Sequence, residues 1–313
     1  MSTVTQTKNL LAMAKPSKVK LSTADKVYYS IVYSVIIFLT VLVLYPLIFV
    51  VSSSFSSGQA VTNGRVILWP VEFSIESYKR VYEYKVIWTG YRNTIFYTLV
   101  GTLWNVSMTA CAAFALSRPK LPGRSWLMFL FAFTMLFNGG LIPNFLLIRD
   151  LGLYNSPWVL IIPGAISVYN MIITRTFFQN SIPAELNEAA VVDGCSDFRY
   201  FFAILLPLSK AVLSVITLYY AVGHWNSYFS AMIYLNTRNY WPLQLFLREI
   251  LINNQFSAEM LTTMTDEEIQ KLQGMSDLLK YAFIVVATVP ILMVYPFIQK
   301  YFAKGVMIGS IKG

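Results

Sequence analysis

Six stretches of this chain run at least 19 residues without an Asp, Glu, Lys or Arg: 27–64, 93–117, 125–148, 151–174, 211–237 and 281–299. A helix needs roughly 20 apolar residues to cross a hydrocarbon core about 30 Å thick, because each residue adds only about 1.5 Å and a charge left in lipid is costly. The six windows therefore read as six membrane spans. Composition agrees, with 56% hydrophobic residues and 12% charged, where soluble domains carry roughly 25% charge. A large soluble protein with buried helices is the bland alternative, but such helices usually run about 10 to 14 residues and keep a polar face. Gly and Pro are ordinary in number and the chain has 2 Cys, so collagen, disorder and disulfide scaffolds are excluded.

The first window follows five lysines, Lys8, Lys15, Lys18, Lys20 and Lys26, as in a signal peptide. Its apolar run over 27–51 is too long for a signal h-region and five more spans follow, so it reads as a retained first span. The expected plan is an N-terminal segment 1–26, a first span 27–51, a loop 52–91 with a short helix, a core 92–302 and a tail 303–313. Alternating the six spans puts 14 basic and five acidic residues on the side of both termini, and the whole net charge of +9 with them. The positive-inside rule makes that side cytoplasmic, with both termini inside a bacterial plasma membrane. Orientation thus accounts for the basic balance, and nucleic acid is not implied as a partner. Cys111, inside the second span, and Cys195, in an inner loop, read as unbridged small packing residues.

Two outer segments carry helix signals. Ser74 can cap a short amphipathic helix containing Ile75, Tyr78, Val81 and Tyr82. In the outer segment 236–279, Thr265-Asp266-Glu267-Glu268 forms a capping-box pattern with Gly274 as a stop. Each could lie on the membrane, receive a partner, or be a solvated connection.

The inner loop 181–207, between the fourth and fifth windows, reads as a bent pair of short helices. Ser181 can cap the first, with Pro183 and Glu185 in its early turn. Gly194 tolerates the left-handed conformation that ends it, and Ser196 or Asp197 can cap the next, which runs into the fifth span. Ala189 and Ala190 are small enough for another surface to approach closely.

The series Glu188-Ala189-Ala190, Asp193-Gly194, Phe198, Ile204, Leu206 and Pro207 resembles the EAA loop of the permease subunits of bacterial ABC importers. Cys195 departs from the Ala usual there, and Ala211 from a second Pro. Ser74-Ile-Glu-Ser-Tyr78, Asn93-Thr94, Trp225-Asn226 and the tail Lys304-Gly305 to Gly309-Ser-Ile-Lys312 resemble the carbohydrate-uptake class. Within it they resemble the MalG-like second permease of LplC/YtcP type. The resemblance implies an all-α, six-span type I permease fold whose loop forms coupling helices in a groove of a cytoplasmic ATPase, through Glu188, Ala189, Ala190, Asp193, Gly194, Cys195, Phe198, Ile204, Leu206 and Pro207. It implies a homologous second permease, two ATPase subunits carrying ATP and Mg, an external solute-binding lipoprotein and an oligosaccharide substrate. This chain has no phosphate-binding Gly-rich loop of its own, so no cofactor and no catalytic residue is expected on it. It has no metal-ligand cluster, and a single histidine, His224.

A polar stripe runs along the fifth window: Ser214, Thr217, Tyr220, His224, Ser227 and Tyr228, spaced to share one helical face. Ser167, Asn170 and Thr174 form a shorter counterpart in the fourth. Such stripes face protein or water. Hydroxyls, amides and rings suit a sugar, so with Trp225 and Asn226 these are candidate pathway residues. Hydrogen bonding between packed spans explains the same pattern. Prolines 46, 143, 163, 290 and 296 can act as hinges or fixed kinks. The competing functions are an ABC permease for a non-sugar solute and an ion-driven secondary transporter. The latter, like a membrane-embedded enzyme, calls for an intramembrane ionisable group, and the windows hold no carboxylate, lysine or arginine.

Overall fold

The computed structural model describes residues 22–253, 278–294 and 296. The expected capping box at 265–268, Gly274, nearly all of the N-terminal segment and the tail lie outside them.

The first helix, α1 (Thr23–Ser54), has 32 residues and is apolar all round, with Pro46 accommodated inside it. At about 1.5 Å per residue it is long enough to cross a membrane. Only its last turn is buried, at Ser52, Ser53 and Ser54, so its flank is left to lipid or to another chain. Short helices α2 (Gly58–Thr62) and α3 (Glu76–Glu83) follow. Ser74, expected to cap α3, sits one residue too early: Ile75 holds the N-cap position without a side-chain cap, and Ser74 Oγ accepts the Glu76 amide at 3.2 Å in a local turn just ahead of the helix. Ser77 donates to the Ser54 carbonyl at 2.9 Å, and the Tyr78 and Ser54 hydroxyls meet at 2.7 Å. The Ser74–Tyr78 motif thus ties α3 to the end of α1.

The 33-residue α4 (Lys85–Ser117) is the central helix, starting eight residues before the second window. Four more helices complete the middle of the chain: α5 (Arg124–Leu136), α6 (Leu141–Asp150), α7 (Val168–Asn180) and α8 (Ala184–Val192). They are followed by α9 (Asp197–Leu208), α10 (Lys210–Trp225), α11 (Phe229–Tyr234), α12 (Leu243–Asn253) and α13 (Leu278–Val294). Helices α7, α10 and α12 pack on α4. Among the described residues, α1 and α4 alone are long and apolar enough to cross a membrane unbroken.

Three windows expected as spans are not single helices. The window 125–148 bends by 117° between α5 and α6. Asn138-Gly139-Gly140 makes the turn, with Gly140 at φ +86° and its amide on Asn138 Oδ1 at 2.9 Å. The window 151–174 is broken by Asn155 and Gly164, both at positive φ. Its helix α7 begins only at Val168 and extends six residues past the window, to Asn180. An uncharged run measures compatibility with lipid and cannot show where the backbone turns inside it. The fifth window likewise breaks after Trp225, before α11.

Asn93 donates to the carbonyls of Asn239 and Trp241 at 2.7 and 2.9 Å, and Thr94 Oγ1 accepts the Leu243 amide at 2.8 Å. The Asn93-Thr94 pair therefore fastens the segment before α12 to α4. Such bonds matter because a buried backbone group left unpaired is costly.

Candidate functional site: a bent elbow and a polar cleft

At the C-terminal end of α4 the chain builds the elbow α8–α9. Helix α8 ends in a Schellman closure: Gly194 N donates to Val191 O at 3.0 Å and Cys195 N to Ala190 O at 2.8 Å, with Gly194 at φ +73°. A Cβ is disfavoured there by the backbone alone. Ser196 Oγ then accepts the Arg199 amide at 3.3 Å and caps α9. Ser181, expected to cap α8, instead closes α7, its amide on Phe177 O at 2.9 Å, and Pro183 occupies the N-cap position of α8. Pro183 lacks the side-chain acceptor a serine would offer, and α8 starts without a side-chain cap.

Within α9, Phe201–Leu205 forms a π-helical turn. Pro207 has no amide for the carbonyl four residues back and its ring crowds that carbonyl, so the turn widens. The helix breaks at Ser209, and α10 leaves at 82°. Ala190, Tyr200, Phe201 and Leu205 are buried with Phe178, Met171 and Val212, and Cys195, Ile204 and Leu206 pack against that core. Cys111 does not pack; it is exposed on α4. Glu188, Ala189, Asp193 and Phe198 face outward. Val191, Val192 and Phe198 are 62%, 87% and 75% exposed, an apolar patch carried on an anchored support.

Arg118, counted in the sequence only as one of several inner charges, anchors that support. Its guanidinium reaches Asn187 Oδ1 on α8 at 2.5 Å and Asp197 Oδ1 on α9 at 3.2 Å. It lies 4.4 Å from the Phe114 ring centroid and 4.8 Å from that of Tyr200. Arg175 Nε and Gln179 Nε2 on α7 donate to the Leu116 and Ser117 carbonyls at 2.9 and 3.2 Å. These cover the carbonyl end of α4, where donors and positive charge are favoured. No local motif marks Arg118, because its partners lie 69 and 79 residues away.

Farther along α4, a cleft of about 690 Å³ opens between α4, α6 and α10. Of the stripe residues, Tyr220, His224 and Ser227 line it. Asn105, Asn144, Tyr219, Ser230 and Tyr234 line it as well, and sequence spacing missed them. Asn105 had a signal, an amide in an uncharged window. Its Nδ2 donates to the Gly164 and Ala165 carbonyls at 3.0 and 2.9 Å, and its Oδ1 lies 2.6 Å from His224 Nε2. The carbonyls claim the amide nitrogen, so the Asn105 oxygen accepts and His224 Nε2 donates. The His224 ring lies against Gly101, where a Cβ would come within 2.5 Å of it. Tyr220 OH accepts the Ser167 amide at 2.9 Å and meets Thr109 Oγ1 at 2.6 Å.

The other stripe residues are not on the cleft. Ser214, Thr217 and Thr174 bond to carbonyls of their own helices, and Ser167 caps α7. Asn170 is buried and Tyr228 exposed. Trp225 is buried and donates to Ala287 O on α13 at 3.0 Å, while Asn226 bonds back to Val222 O.

Residues 11–308 match the family described as binding-protein-dependent transport system inner membrane component. The chain is 41% identical over 289 residues to the polygalacturonan/rhamnogalacturonan transport system permease protein YtcP of Bacillus subtilis strain 168, covering 92% of this chain and 99% of that one. It is 41% identical over 268 residues to Protein LplC of the same organism, covering 86% and 89%. Its fold matches a chain in the crystal structure of a bacterial ABC transporter involved in the import of the acidic polysaccharide alginate. The TM-score is 0.82 at 37% identity, over 91% of this chain and 100% of that chain. This chain belongs to the binding-protein-dependent transport system inner membrane component family.

Proposed function

We propose that this chain is one of two permease subunits of an ATP-driven oligosaccharide importer. Six passes, with both termini cytoplasmic, are made by α1, α4, the α5–α6 pair, α7 with the segment before it, α10 with α11, and α13. The elbow α8–α9 seats in a cytoplasmic ATPase subunit, which carries the ATP and Mg. An external binding lipoprotein delivers the oligosaccharide, and the cleft beside His224 is this chain's share of its path.

The elbow carries the reading. Val192 and Phe198 hold large apolar side chains 87% and 75% exposed on a unit fixed to α4 by Arg118 and to the core by Ala190. An apolar patch on an anchored support is what a docking partner requires, and apolar surface left bare in water is a liability. Phe198→Asp changes that face without disturbing buried contacts. The variant is expected to insert and pair with its permease partner, lose ATPase subunits on purification, and lose uptake. Full ATPase retention and normal oligosaccharide uptake by that variant would refute the assignment.

A further inference from the structure

The loop after α1 folds back along that helix. Its polar contacts run in order: the Ser74 amide donates to Phe55 O at 2.9 Å and the Ser57 amide to Val71 O at 3.2 Å. The Val71 amide then donates to Ser56 Oγ at 3.0 Å, and Ser52 Oγ to Leu68 O at 2.6 Å. From Ser74 to Leu68 the partners thus step back from Phe55–Ser57, beyond the end of α1, to Ser52 inside its last turn. Residues 66–71 make a finger directed along α1 toward its apolar stretch. The finger reads Val66-Ile-Leu-Trp-Pro-Val71, apolar at every position. Arg65 and Glu72 pair across its base at 2.6 Å, and the Phe73 ring stacks on Phe55 with centroids 5.8 Å apart. Val66 is buried, whereas Ile67 and Leu68 are exposed and Trp69 is 79% exposed. Hydrogen bonds therefore fix the backbone and leave large apolar side chains outward.

Resting on the reading of α1 as a membrane pass, we infer that this finger is an interfacial anchor, with Ile67, Leu68 and Trp69 entering the boundary between headgroups and acyl chains. Its partner is the lipid surface reached by the C-terminal end of α1. The depth comes from the contacts. Leu47, Ile48 and Val51 carry the exposed apolar surface of α1 up to Ser52, and the Leu68 carbonyl is bonded at Ser52. The finger therefore lies where hydrocarbon gives way to headgroups. Tryptophan concentrates at that level, because its ring is apolar and its indole N–H still meets water or headgroups. The Arg65–Glu72 pair stays at the base, on the aqueous side, where charge remains hydrated. A protein docking on the finger would use the same exposed side chains, but the bond to Ser52 sets them beside the bilayer rather than above it.

The test uses the assembled transporter in nanodiscs, without binding protein, in a chain whose Cys111 and Cys195 are alanine and with no other cysteine in the complex. A nitroxide is attached in turn at Leu39→Cys in the middle of α1, at Ile67→Cys on the finger and at Asn63→Cys, an exposed position at the end of α2. Each label is read for collision with oxygen, which concentrates in lipid, and with a water-soluble nickel chelate. The oxygen-to-nickel ratio at Ile67 should stand several-fold above that at Asn63 and below that at Leu39. Adding Trp69→Asp should lower the ratio at Ile67 several-fold, toward that at Asn63. Equal ratios at Ile67 and Asn63, with Leu39 shielded from nickel, overturn the inference and leave α1 as a pass. A label at Ile67 shut off from both reagents also overturns it, since protein then covers the finger, and so does a ratio that Trp69→Asp leaves unmoved. A Leu39 label open to the nickel chelate overturns the pass itself, and the inference with it.

Discussion

Arg118→Ala removes the anchor that holds the elbow on α4. The guanidinium makes one hydrogen bond to the Asn187 amide oxygen, an ion pair with Asp197 and two ring contacts. A hydrogen bond from a charged donor contributes about 1.5–3 kcal/mol. Cation–π contacts outside a dry core contribute about 0.5–1 kcal/mol each. The Asp197 side chain is 83% exposed, so that pair is screened and contributes less than about 1 kcal/mol. These terms overlap, and their sum overstates the loss. A net of about 2–4 kcal/mol corresponds to a local opening equilibrium shifted by roughly 30- to 900-fold. The assay is amide hydrogen exchange of α8 and the first turn of α9 in the assembled transporter. Asn187→Ala and Asp197→Ala serve as single arms of a double-mutant cycle. Arg118→Ala should exchange fastest, Asn187→Ala should recover most of the effect, and Asp197→Ala little. Arg118→Lys should recover only part, since lysine lacks the planar fork and stacks poorly. Unchanged exchange in Arg118→Ala, or Asp197→Ala matching it, refutes the ranking of contacts and the anchoring role.

Further predictions concern the cleft and the outer loop. Gly101→Ala puts a Cβ within 2.5 Å of the His224 ring, so the ring is displaced and its bond to Asn105 lost; uptake should fall several-fold. The double variant Gly101→Ala/His224→Ala should be no worse than His224→Ala alone, and additive losses would count against the clash. Glu72 accepts from Ser57 Oγ at 2.5 Å and pairs with Arg65 at 2.6 Å. The Ser57 hydrogen bond first, and Arg65 second, hold its carboxyl below the ordinary glutamate range. Its contribution is therefore fully present above the unfolded-state value and is lost as pH falls through the lower folded one. Proteolysis of the 57–72 loop should accelerate on acidification, and Glu72→Gln should flatten that dependence; an identical profile in the variant would rule out Glu72.

What was legible in the sequence was local. Gly194 needs only itself and its neighbours to end α8, and Ser196 needs only the next turn. Apolar windows found α1 and α4 because an unbroken helix and an unbroken uncharged run coincide there. They misjudged 151–174, where Asn155 at φ +55° pivots the chain. Its side-chain oxygen accepts the Asn236 and Thr237 amides at 3.0 and 2.9 Å, a reason for the turn that lies 81 residues away. The polar stripe reached the cleft only in part, for a related reason. Helical periodicity groups residues by direction, whereas Trp225 is claimed by α13 and Tyr220, His224 and Ser227 reach the cleft only because α4 and α6 enclose it. Asn105 was passed over although it is an amide among apolar residues, and its two carbonyl partners, Gly164 and Ala165, belong to a turn that no spacing predicts.

The elbow's docking on a cytoplasmic motor is tested most directly by Val192→Cys in a chain whose Cys111 and Cys195 are alanine. Val192 is 87% exposed at the end of α8, so the thiol reports its surroundings without disturbing the core. In the assembled transporter in sealed right-side-out vesicles, it should cross-link to the ATPase subunit through a short bifunctional reagent and stay closed to a membrane-impermeant maleimide added outside. Labelling from outside, with no ATPase adduct, would contradict the account.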